Sequence, residues 1–133
     1  MNTTSEYLLL FRGTDWQKGL SPQELEETLG RFMAWFDRLQ AEGKLKGASP
    51  LRHDGKLVSG ANGRTVLDGP FAESKEAIGG YFLLTVADMN EAVSIARQCP
   101  VLEHGGMVEV RPVALECPLA ANVRDAAAEL AHA

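Results

Sequence analysis

The feature that most constrains this chain is a strand-length apolar run leading into an amphipathic helix, and the fact that it occurs twice. The first run is Tyr7–Arg12, YLLLFR, ended by Gly13. Its length and uninterrupted apolar character suit a buried strand. After a polar loop carrying Trp16, Ser21-Pro22-Gln23-Glu24 supplies an N-cap, a proline at the first helical position and an acidic residue at N3. That is the capping-box pattern. Leu25, Thr28, Leu29, Phe32, Trp35, Phe36 and Leu39 then recur at three- and four-residue spacing, one apolar face of a long helix that Gly43 closes. The second run, Gly79–Val86, is apolar, aromatic and β-branched, and predicts the strongest strand. Asp88 caps a helix behind it, with Glu91 at N3 and Met89, Ala92, Val93 and Ala96 as its stripe, and Pro100 ends that segment.

The remaining segments complete the two units. Lys44–Pro50 reads as a strand or an extended link. Asp54-Gly55 and Asn62-Gly63 are two hairpin signals, so the middle of the chain is expected to be a β-meander. Met107–Val113 alternates as a closing strand with Glu109 and Arg111 on one face. From Leu119 the tail is alanine-rich, a terminal helix or a frayed end. Two β-α-β units in tandem are the ferredoxin-like plan, an α+β fold. Its helices cover one sheet face only. The other, apolar face is expected to be buried by a second copy, giving a homodimer with its sheets face to face.

Composition excludes several functions. A chain of 133 residues is one domain and buries a real core unaided. Net charge is -5 and no dense Lys/Arg cluster occurs, which argues against a nucleic-acid partner. The apolar run near the N-terminus is too short for a signal segment and no run reaches membrane-span length, so no membrane partner and a cytoplasmic location are expected. Cys99 and Cys117, each followed by proline, fit no metal or redox spacing and read as reduced thiols. Neither histidines nor cysteines sit at ligand spacing, so no metal is expected. The glycines form no phosphate loop, and no cofactor is expected.

Asp68-Gly69-Pro70-Phe71, Ala72-Glu73-Ser74-Lys75-Glu76, Gly79-Gly80-Tyr81 and Val108–Val113 occur in that order. In this order they resemble the DGPF-domain proteins of the YCII-related group, over about residues 5–115, with 116–133 outside. The resemblance implies a dimeric α/β barrel of ferredoxin-like protomers. It implies little about chemistry. Some relatives are linked to sigma factors of the extracytoplasmic-function type, which points to regulation. Other YCII relatives are thought to use a histidine on the first helix and an aspartate before a proline near the end of the second. Here the first helix carries no histidine from Glu24 to Glu42, and Cys99 precedes Pro100, so that dyad does not carry over.

Candidate site residues follow from chemistry and place. Asp-Gly-Pro is good turn chemistry, and Asp68 at a strand end is also a candidate general base. His104, ahead of Gly105-Gly106, is the histidine placed where a pocket can use it, whereas His53 and His132 are expected to be exposed. Arg64, Phe71, Glu76, Tyr81, Glu109 and Arg111 are the candidate ligand contacts. Glu109 and Arg111 are placed to pair with Arg64 or to line a polar cavity inside a dimer barrel. Gly79-Gly80 suits either a bulge or close approach of a ligand or backbone. Phe32, Trp35 and Phe36 read as core. The leading expectation is a small dimeric module that holds a small metabolite in the cleft between sheet and helices, or serves a regulatory role. The alternative is a cofactor-free lyase or isomerase in which Asp68 or His104 moves a proton on a small aromatic or oxo-acid substrate.

Overall fold

The computed structural model describes residues 3–13, 15–69 and 78–131. In chain order the elements are β1 (Ser5–Arg12), α1 (Pro22–Ala41), β2 (Leu45–Pro50), β3 (Lys56–Ser59), β4 (Thr65–Asp68), β5 (Ile78–Val86), α2 (Met89–Ala96), β6 (Met107–Pro112) and α3 (Pro118–Ala131). Short 3-10 turns occupy Trp16–Gly19, Ala61–Gly63 and Pro100–His104. The main sheet runs β2-β5-β1-β6 with every described pairing antiparallel. Each β-α-β unit thus leaves a gap that a strand of the other unit fills, which is the ferredoxin-like arrangement.

Sequence chemistry sets the helix ends. The Ser21 hydroxyl accepts from the Glu24 N–H and the Glu24 carboxylate accepts from the Ser21 N–H, so the capping box is complete. The Ser21 N–H also holds the Glu24 carboxyl below its ordinary range. Asp88 caps α2 in the same way, accepting from the Glu91 N–H. Gly43, at φ 72, takes the left-handed conformation that ends α1.

Register assigns the two sheet faces. Leu9 opposes Phe82 and Val110, and Tyr7 opposes Leu84, all on the side toward the helices. There Leu9, Trp35, Leu39, Phe82, Leu84, Val86, Ala92 and Ile95 form the core. Leu9 and Leu84 are completely buried. Truncating either to alanine costs about 2–5 kcal/mol. Leu8 opposes Leu83 and Leu10 opposes Tyr81 on the other face. These four are half-buried, and α1 and α2 lie on the far side of the sheet from them.

Two expectations change, and one of the two alternatives for the tail is found. The middle of the chain is not one meander: β2 joins the main sheet, whereas β3 and β4 form a separate two-stranded sheet. Asn62-Gly63 makes its turn, with both residues at positive φ. Asp54-Gly55 lies instead at the hairpin's open end, where the Gly69 N–H donates to the Gly55 carbonyl. The stretch ahead of Gly105 is a 3-10 turn begun by Pro100 rather than a loop. The alanine-rich tail is helical as α3, with Leu119, Val123 and Leu130 exposed.

Candidate functional site

The long stripe of α1 divides into two. Thr28, Trp35 and Leu39 point into the core and are buried. Leu29, Phe32, Met33 and Phe36, one row around the helix, face a cavity of about 560 Å³. The opposite wall comes from Phe11 at the end of β1, Ala48–Pro50 of β2, and Gly79, Gly80 and Phe82 of β5. Trp16 and Gln17 close one side, and His53 stands at another. That volume is in the range of small-molecule sites, and the walls are mostly aromatic and aliphatic, as in such sites.

Aromatic geometry keeps the walls in place. Phe11 meets Phe32 at 5.5 Å and Phe82 at 4.9 Å, both edge to face, and Phe36 meets Phe82 at 5.7 Å. Such pairs are worth about 0.5–1.5 kcal/mol each beyond the area they bury. Gly79 is the extra residue of a bulge, since Phe11 pairs with Gly80 but Arg12 pairs with Ile78. At Gly80 a side chain would collide with the Ser49 backbone, so both expected reasons for the double glycine operate here.

The residues singled out from the sequence fall in three other places. Asp68 ends β4 on the hairpin, is largely exposed, and is ion-paired with Lys56 across the ladder. Arg64 is exposed beside the same hairpin's turn. Tyr81, Glu109 and Arg111 share the sheet face opposite the helices, where Glu109 pairs with Arg12 at 2.5 Å and with Arg111 at 3.7 Å. Glu109 therefore finds its partners along the sheet, and Arg64 is not one of them. His104 sits in the Pro100–His104 turn, its Nε2 3.1 Å from the Thr28 hydroxyl. No hydrogen bond or ion pair among the described residues joins Asp68 to His104, and neither lines the cavity. A shared proton-transfer site is not assembled from that pair. Phe71 and Glu76 lie outside the described residues.

His53 corrects the reading of the histidines. It is exposed, as expected, yet it contributes to the cavity wall, while His104, the histidine expected to serve a pocket, does not. Phe32 and Phe36 likewise serve core and cavity together, whereas Trp35 is core alone. Met33 was absent from the sequence stripe. The signal that finds the cavity is a stripe too wide for one face: Leu29 and Met33, a turn apart, stay about half exposed at 48% and 51%. Among the described residues no cluster of three His, Cys, Asp or Glu side chains can hold a metal ion.

The model of the YCII-related domain matches residues 6–116. The chain belongs to the YCII-related family. This YCII-related chain is 40% identical over 72 residues to an uncharacterized protein of Rhizobium meliloti (strain 1021), a match covering 53% of each. It thus spans about half the length of the curated relative it matches. Among solved structures, it resembles the hydroxynitrile lyase from Passiflora edulis at 12% identity and a TM-score of 0.37, covering 89% of this chain and all of that one. No described helix of this YCII-related protein is long and apolar enough to cross a membrane.

Proposed function

We propose that this YCII-related protein is a small-molecule-binding protein that works as a homodimer. The observation that carries the binding role is the cavity of about 560 Å³ between α1 and the ends of β1, β2 and β5. Leu29 and Met33 remain half exposed at its rim, a cost in free energy that an apolar ligand relieves by covering them. The dimer rests on the sheet face opposite the helices, which no described helix covers. There Leu8, Leu10, Tyr81 and Leu83 form an apolar patch across the two central strands, with Arg12, Glu109 and Arg111 on one side and the Lys46–Glu6 pair on the other. An apolar centre with a charged rim is the anatomy of a protein interface.

A thermal-shift screen against small apolar and aromatic metabolites tests the binding role, with wild type beside Met33→Arg. Met33 is exposed, so the substitution leaves the core intact while placing a charged side chain at the rim. A ligand at a hundred times its Kd stabilises wild type by about 2.7 kcal/mol. The expected result is a shift in wild type that Met33→Arg abolishes. A ligand that shifts both equally binds elsewhere, and the proposed site is then wrong.

A further inference from the structure

Resting on the cavity as the binding site, we propose that its ligand is a flat aromatic molecule stacked on Trp16, and that His104 is the positioning residue that holds this indole in place. Trp16 begins a single 3-10 turn that lacks a side-chain cap. A lone turn of this kind gives little orientation to a large side chain, so the ring needs support from elsewhere. His104 supplies it. The imidazole lies nearly parallel to the indole, with centroids 6.3 Å apart and planes 21° from one another.

His104 is in turn fixed by the helix. The Thr28 hydroxyl donates to the Glu24 carbonyl at 2.8 Å, so its hydrogen is already committed. Its oxygen can therefore only accept from His104, 3.1 Å away, which makes Nε2 the protonated ring nitrogen. Thr28 is 1% exposed and does not move without disturbing α1. The order of support runs from Thr28 to His104 to Trp16 to the cavity.

The geometry distinguishes Trp16 from the other cavity rings. Phe11, Phe32, Phe36 and Phe82 meet one another edge-on or tilted, so their ring surfaces already have aromatic partners. Among the described residues, Trp16 stacks on His104 alone. Trp16 lines the cavity and His104 does not, so a ligand in the cavity meets Trp16 away from the imidazole. A planar ring laid there continues the stack. A puckered ring of equal bulk buries similar area without the ring-on-ring contact, which is worth about threefold to tenfold in affinity.

Calorimetric titration of naphthol and its fully saturated counterpart, decahydronaphthol, tests this. Wild type, Trp16→Leu, Trp16→Phe and His104→Ala are compared, each checked for fold by circular dichroism. Wild type is expected to prefer the flat alcohol by about threefold to tenfold. Trp16→Leu keeps apolar bulk and should lose the preference, Trp16→Phe should retain part of it, and His104→Ala should reduce it with Trp16 still present. If Trp16→Leu does not fold, the wild-type ratio and the Trp16→Phe ratio decide. Equal binding of both alcohols by wild type, or an unchanged ratio in Trp16→Leu, overturns the stacking proposal and leaves the cavity as a binding site. Binding of neither probe overturns the stacking proposal and the cavity reading together.

Discussion

The carbonyl oxygen of Ser49 lies so close to Gly80 that a Cβ built there would approach it to 2.9 Å, with the Pro50 Cα at 3.2 Å. Both obstacles are backbone, so no side chain can swing aside. Gly80→Ala is therefore expected to push β2 from β5 and destabilise the protein by about 1–3 kcal/mol in urea melts. Gly47→Ala is the control. No atom lies within 4 Å of a Cβ at Gly47, and its effect should stay within about 0.5 kcal/mol.

Leu10 and Tyr81 are paired on the sheet face opposite the helices. Leu10→Glu places a charge in the centre of the proposed dimer interface. Light scattering behind size exclusion should show a dimer for wild type and a shift toward monomer for the variant. A monomeric wild type at micromolar concentration defeats the assembly.

Cys99 and Cys117 should differ in reactivity. Burial raises the Cys99 thiol from its ordinary 9.0 to about 11, while Cys117 is exposed. At neutral pH a thiol reagent is expected to titrate one equivalent in the native protein and two in denaturant. The same shift gives an alkaline limit. Above 9.0 the unfolded chain loses this proton while the folded one keeps it, so stability falls as pH rises until the folded thiol ionises near 11. The slope from this group is about 1.4 kcal/mol per pH unit, and Cys99→Ala should remove it.

Ser21 and Glu24 form the reciprocal cap of α1. Ser21→Ala is expected to cost about 1 kcal/mol, and Ser21→Asp should largely preserve stability. Because α1 carries one wall of the cavity, weaker ligand-induced stabilisation should accompany the loss. Matched denaturation curves with and without ligand check both effects.

The main sheet and both of its helices were legible because their signals are local: periodicity, caps and β-branched runs. The hairpin was read as part of a meander because Asp54-Gly55 and Asn62-Gly63 look alike as dipeptides. Only pairing distinguishes them, and β2 pairs with β5 across a gap in sequence. A cleft between sheet and helices was expected, but its lining was hidden for a related reason. A helical stripe says which residues avoid water, but not which will be covered by the sheet, and Phe32 and Trp35 are indistinguishable on that score. His53 is exposed as expected, but that it lines the cavity while His104 does not was not legible, because a loop histidine's surroundings are set by long-range contacts: for His104, Thr28 on a distant helix.

Phe32 touches Phe11, Trp35 and Phe82 within the core while also walling the cavity. Selectivity and folding therefore share a partition, and deep residues cannot be tuned for a new guest without loosening the house. Change in what this chain holds has its cheapest route through the rim, at Leu29, Met33 and His53, where side chains vary at little risk to the layers beneath.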